Sequence, residues 1–440
     1  MNSGVNYRGA IIAARELSIV ENTDVEGCPT RRFGDSSDLG RDPRPHRMVI
    51  RDSEVTIRSW ACLVACLALS CTIVPAQVDV ARALPIWTAD LDAFSYASRP
   101  DPHNIGGKPY IEGKFADIGV AFKASDEVIC YFVTHAGNVQ LQRRERLEDS
   151  ASFNLQIVAF DAKTGSLRFR KELPARPHFT SVAVNNDRNL LVRSGDTLRL
   201  YSSDFEVMKE RLLEAKALDR WIFKVSRSGS TMLLEHYSPS DTYDEILNTT
   251  SFESLFAFKV QWFPVSSVTD KVLLKAVPDR NQILTRNFDG PWQEIPIPKL
   301  ISCVFNPVLV NDAEVLNACG QQVTLISRSG QILMQDTLDR KEHLEQLVSL
   351  TPDGRLAAVS ARQNKGGFMD LTSIKRSHTR ILIYDTKLRR HVFSVPVEPI
   401  PQHDYDFGLA PDGNTLVIMI DSVVKAFAIS PQKNPQENAR

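Results

Sequence analysis

Seven short turns recur along the chain, at Asp126, Asp187, Ser228, Asp270, Asp312, Asp353 and Asp412. The intervals between them are 61, 41, 42, 42, 41 and 59 residues. Four consecutive intervals agree to within one residue, so the chain is built from a repeated supersecondary unit. The two long intervals are the same unit carrying an insertion of about 18 residues. Each turn lies between short apolar runs. The pattern is sharpest in Leu350-Thr-Pro-Asp-Gly-Arg-Leu-Ala-Ala-Val359 and Leu409-Ala-Pro-Asp-Gly-Asn-Thr-Leu-Val-Ile418. There Pro presets φ, Asp bonds to its own backbone and Gly supplies the positive φ that closes a hairpin. Weaker copies occupy residues 124–133, 185–192, 226–234, 268–274 and 310–316.

A second run with period-two alternation follows each turn in most units, as in residues 155–165, 198–204, 283–290, 323–330, 381–386 and 424–430. Alternation of this kind marks half-buried strands. A further short strand usually follows, such as Ser166-Leu-Arg-Phe or Arg390-His-Val-Phe-Ser-Val-Pro. Each unit therefore holds four short strands, a to d, in one antiparallel sheet. Such a sheet cannot bury both faces alone, and radial stacking solves this. The expected fold is all-β: a seven-bladed β-propeller of four-stranded antiparallel blades. The last unit, His403 to Ser430, has only three strands, and Leu84-Pro-Ile-Trp-Thr-Ala-Asp-Leu91 is expected to supply the fourth and close the ring.

The Pro-Asp-Gly-x-x-Leu hairpin followed by Ile381-x-Ile-Tyr-Asp385 resembles bacterial WD-repeat-like and YVTN-type propeller proteins across residues 115–430. The Gly-His and Trp-Asp pairs of true WD repeats are absent. The resemblance implies a fold but no defined function, because propellers host both scaffolds and enzymes.

The N-terminal region has a different character. Residues 1–47 are rich in Arg, Asp, Gly and Ser without a hydrophobic period, and read as a disordered or mis-assigned extension. Met48 then opens a basic start with Arg51 and Arg58, an apolar run from Trp60 to Val74 and a Val74-x-Ala76 cleavage site. Residues 48–77 are thus expected to be a secretory signal peptide, with Met48 as the start. A cytoplasmic tail ahead of a signal anchor is the alternative. Residues 78–114 are assigned to the closing strand and linker, 115–430 to the propeller and 431–440 to a polar tail. Four of the seven cysteines lie before residue 78, leaving Cys130, Cys303 and Cys319. They read as buried small hydrophobes, with a Cys303–Cys319 bridge left open.

With 52 basic and 53 acidic residues, the net charge of −1 gives no footprint for nucleic acid. No phosphate-cradling loop, dinucleotide fingerprint, zinc-protease helix or nucleophile elbow is present. No catalytic residue, metal ligand or cofactor is assigned. The b–c connections carry the length, at Ala136–Asn154, Tyr237–Asp244 and Arg362–Thr379, and loops of this kind on a rigid scaffold are where binding residues sit. His135, His178, His236, His403 and Asp404 map to that end and are the candidate binding residues at the channel mouth, with Asp244 and Asp406 beside them. The preferred function is an exported, monomeric, non-catalytic binding module for a protein or small ligand, located outside the cytoplasm with no membrane span in the mature chain. The alternative is a propeller enzyme, a lactonase-like hydrolase or a cofactor-dependent oxidoreductase.

Overall fold

The computed structural model describes residues 83–96, 118–135, 153–175, 180–213, 220–237, 242–259, 265–304, 307–365, 375–399 and 405–429. The predicted extension, signal peptide and polar tail lie outside these residues. The described strands form seven four-stranded sheets, each antiparallel. In six of them strands a to d follow in chain order. Strand a begins at Ile118, Thr180, Arg220, Val265, Val308, Glu342 and Tyr405 in blades 1 to 7. Strand a of each blade adjoins strand a of the next, except that in blade 5 it is strand b that meets strand a of blade 6. Strand a of blade 7 adjoins that of blade 1, so the blades form a ring.

All seven predicted turn residues lie in the a–b turns. Turn chemistry explains the recurrence. In blade 6 the Asp353 carboxylate accepts from Thr351 Oγ1 at 2.7 Å and from the Arg355 amide at 3.0 Å. The Gly354 amide closes the turn on the Thr351 carbonyl at 2.8 Å. Gly354 has φ +70°, and a Cβ there would strike the Val310 carbonyl of blade 5 and the Arg227 guanidinium of blade 3. Only glycine meets both the dihedral and the close approach.

One apolar cluster lies in each seam between neighbouring blades. These clusters are where the burial that no single sheet could achieve takes place. Polar side chains on inner strands complete the seams by satisfying backbone amides of the next blade. Ser267 Oγ accepts from the Leu309 amide at 3.0 Å, Ser349 Oγ from Leu409 at 3.2 Å and Asp406 Oδ2 from Val120 at 2.9 Å. Asp406, a candidate mouth residue, thus joins blade 7 to blade 1. A buried amide without such an acceptor would be destabilising by roughly 1–3 kcal/mol.

The segment Trp87–Asp90 is the fourth strand of the sheet of blade 7, antiparallel to Val423–Ala428, with Trp87 opposite Ala426. Trp87 also reaches blade 1. Its indole Nε1 donates to the Ala162 carbonyl at 2.9 Å, and its ring lies on Gly165, where a Cβ would clash. A disulfide joins Cys303, in the approach to blade 5, to Cys319 at the end of strand b. Cys130 is a fully buried free thiol whose pKa is pushed up by burial and by the Asp406 charge.

Candidate binding face

In an a–b–c–d meander the a–b and c–d turns open at one end of the ring, and the b–c and d–a connections at the other. The a–b turns are all tight. The b–c connections are unequal. Residues 195–196, 320–321 and 421–422 are two-residue turns in blades 2, 5 and 7, whereas residues 136–152 and 366–374 separate strands b and c in blades 1 and 6. Both long connections lie outside the described residues. In blade 3 the structure shortens the expected connection to residues 238–241, because strand c already runs from Thr242 to Asn248.

The candidate residues are distributed as follows. His135 ends strand b of blade 1, opposite Phe153. His178, His403 and Asp404 fall outside the described residues. His236 lies near the end of strand b of blade 3, is only 7% exposed, and stacks on Tyr243 with ring centroids 4.7 Å apart. It shares a sheet face with Leu234, which packs towards blade 2. Among the described residues no group of three His, Cys, Asp or Glu side chains could hold a metal ion.

Asp244 is not a loop residue. It sits in strand c of blade 3, opposite Glu235, and is 1% exposed. Here the seam between blades 3 and 4 carries a set of buried charges. Lys224 Nζ meets Glu235 Oε2 at 2.5 Å with both side chains sealed from solvent. The same ammonium donates to the Val265 carbonyl of blade 4, and Glu235 Oε1 accepts from the Val265 amide at 2.6 Å. One ion pair therefore satisfies both backbone groups of a residue in the next blade. Burial pushes the Asp244 carboxyl well above the usual carboxylate range, the Glu235 charge adds to this, and Lys224, Lys275 and Arg286 oppose it.

Arg286, of blade 4, lies among three rings. Its Cζ is 4.6 Å from the Phe258 centroid, 5.3 Å from Phe256 and 5.6 Å from Trp292. Lys275 Nζ lies 4.5 Å over Trp292. This box has the composition of an aromatic cage for a cation, but the chain's own arginine fills it. Trp292 is accordingly a packing residue. Nothing in the sequence spacing marks this group, since its members come from three strands and a turn of two blades.

The opposite end holds a cleft of about 420 Å³ between blades 1 and 2, lined by Lys123, Asp126, Arg168 and Asp187 among others. Several of its charges are engaged locally. Arg168 bridges Asp161 at 2.7 Å and Asp126 at 2.8 Å, and Thr250 donates to Asp187 at 2.9 Å. At the same end Asp270 accepts from Ser226, Ser228, Ser230 and Thr231, tying the turn of blade 3 to that of blade 4. Burial alone would raise its pKa, but the four hydroxyls outweigh it and hold the carboxyl below the ordinary range.

No family model matches this chain. No curated protein matches it either. Among solved structures, the C-terminal WD40 domain of Sif2 is similar over 80% of this chain and 99% of its own, with 15% identity and a TM-score of 0.41. A chain of the mitotic checkpoint complex is similar over 89% of this chain and 99% of its own, at 10% identity and 0.45. Hsv2 of Kluyvelomyces marxianus covers 57% of this chain and 73% of its own, at 12% and 0.39. Similarity at this level carries no functional assignment, and the assignment of seven four-stranded blades rests on the strand topology.

Proposed function

We propose that this chain is an exported, non-catalytic interaction module that binds a protein or small ligand through the end of the ring bearing the b–c and d–a connections. One observation carries this reading. The chain concentrates its connecting length at that end, in residues 136–152 and 366–374, while every a–b turn at the other end is tight. A closed ring of seven sheets holds those connections on a rigid frame. His135, His178, His403 and Asp404 are the side chains proposed to recognise the partner there, with His236 in a supporting place against Tyr243. Export is supported by the basic start, apolar run and Val74-x-Ala76 site, and by the Cys303–Cys319 disulfide, which suits an oxidising compartment. No observation favours a propeller enzyme over this reading.

The test uses the full chain with its own leader. Residues 138–150 are replaced by a short Gly-Ser linker in one variant. In a second, Arg168→Gln alters the cleft at the opposite end. Both are compared with the unaltered chain for cross-linked partners in the exported fraction, after melting curves show that each still folds. Loss of partners in the first variant alone is expected. Equal capture by all three, or loss in the second alone, would overturn the proposal.

A further inference from the structure

The seam between blades 3 and 4 holds more charge than its ion pair uses. Strand c of blade 3, Thr242–Asn248, and strand b of blade 4, Val272–Val277, each turn alternate side chains towards it. Asp244 shares that face with the buried Ile246, and Lys275 with the buried Leu273. Asp244 is 1% exposed and Lys275 7%. Asp244, Phe258, Arg286, Trp292 and Lys275 form a closed circuit. Phe258 is directly opposite Asp244 across the ladder. Arg286 lies against Phe258 and Trp292, and Lys275 lies over Trp292. Lys275 and Asp244 act on each other electrostatically, which closes the circuit.

The polar groups of this circuit are not matched to one another. Asp244 Oδ2 is buried and receives no hydrogen bond from the described residues. Arg286 spends its fork on backbone carbonyls, donating from Nη2 to Phe288 at 2.7 Å and from Nε to Asn287 at 3.3 Å. Among the described residues neither Arg286 nor Lys275 comes within ion-pair distance of a carboxylate. Lys275 Nζ instead lies 4.5 Å over the Trp292 ring, a contact that favours the protonated amine. The neighbouring Lys224–Glu235 pair neutralises itself. The balance is Lys275 and Arg286 against one carboxyl, which burial and the Glu235 charge dispose to keep its proton. Even an ionised Asp244 would leave positive charge in excess. An isolated buried cation is costly to desolvate, so such groups are paired.

We propose that this circuit binds one small monovalent anion, a chloride or a carboxylate of formate size, between Lys275 and Asp244. Lys275 donates to it from its ammonium and Asp244 from its protonated carboxyl, while Arg286 adds attraction at longer range. A water molecule would answer the hydrogen bonds but not the charge. A divalent anion is disfavoured, because Asp244 and Lys275 are nearly sealed and the cost of desolvation climbs steeply with charge. The site lies within a seam and is separate from the proposed binding face.

The test follows chloride itself. The full chain is exchanged into gluconate buffer, whose bulky anion suits no sealed site, and is titrated with chloride at constant ionic strength while the chloride NMR line width is read. Saturable broadening is expected, which formate displaces and sulfate does not. Lys275→Gln keeps a hydrogen-bond donor without the charge, and should weaken chloride by at least about tenfold. Lys209→Gln, at an exposed lysine of blade 2, should leave the titration unchanged. Melting curves confirm that each variant folds, and should Lys275→Gln fail to do so, Asp244→Leu carries the same expectation. No saturable broadening in the unaltered chain, displacement by sulfate as readily as by formate, or equal chloride affinity in the folded Lys275→Gln or Asp244→Leu chain would overturn the proposal.

Discussion

Two seams of the ring are fastened by different physics. Between blades 6 and 7, fifteen buried apolar side chains interleave, among them Tyr405, Ile383 and Ile418. Between blades 3 and 4 the corresponding cluster has five, with Phe256, Phe258, Phe288 and Trp292 half-buried against it, and the same seam holds the buried charged side chains Lys224, Glu235, Asp244 and Lys275. The apolar seam gains from every methyl group it removes from water, and the loss of one costs only the burial and the small cavity of that group. The charged seam gains little net energy from its ion pair, because desolvation offsets most of the attraction. It gains geometry instead. Glu235 and Lys224 engage the amide and the carbonyl of Val265, so blade 4 is held at one register against blade 3. A buried charge is therefore tolerant of nothing that removes its partner, whereas a buried isoleucine is tolerant of its smaller homologue.

The largest effect is expected at the charged seam. Lys224→Met leaves the buried Glu235 carboxyl without its cation, and should reduce stability by about 3–5 kcal/mol in denaturant titrations. Lys224→Met/Glu235→Gln removes both charges and retains an acceptor for the Val265 amide, and should recover most of that loss. If the double variant is no better than the single one, the seam depends on the charges themselves. Breaking the covalent fastening at blade 5 comes next. Cys303→Ser/Cys319→Ser opens a link between residues 16 apart, and by the loop-entropy argument should reduce stability by about 3 kcal/mol. The same drop should follow reduction of the unaltered chain. At the apolar seam, Ile418→Val should reduce stability by only about 0.5–1.5 kcal/mol.

The smallest effect concerns pH. The raised pKa of Asp244 means that the folded chain holds a proton that the unfolded chain releases above about pH 4. Stability contributed by this group is present below that pH and is lost as pH rises through the folded value. Asp244→Asn should remove that slope, matching the unaltered chain in acid and exceeding it at neutral pH in thermal melts. Asp270 works in the opposite sense, since its carboxyl is held low by four hydroxyls and its contribution fades as pH falls. A flat Asp244→Asn difference across the range would show that this carboxyl is ionised in the folded state.

Much of the fold was legible because the a–b turn is a local device. Asp353 and Gly354 make the turn with atoms within a few residues, so Pro-Asp-Gly can be read as a hairpin wherever it recurs. Period-two alternation marked the strands for the same reason. Strand c of blade 3 escaped this logic. Its start, Thr242-Tyr-Asp244, reads as the end of the Tyr237–Asp244 loop, yet Asp244 and the neighbouring Glu245 are both buried in strand c. Glu245 pairs with Arg211 at 2.7 Å, and Asp244 lies among the charges of the next blade. The partners that make those acids acceptable inside a sheet come from another blade, and no local pattern announces them.

The sequence by itself determined the unit, its number and its turns, because these depend on dihedral preferences and side-chain periodicity over a few neighbouring residues. Only the tertiary structure decided which charges are buried and that Arg286 fills its own aromatic box. Those outcomes depend on what the adjacent blade or strand presents at close range. Contact between residues tens of positions apart is set by packing and electrostatics rather than by local chain preference.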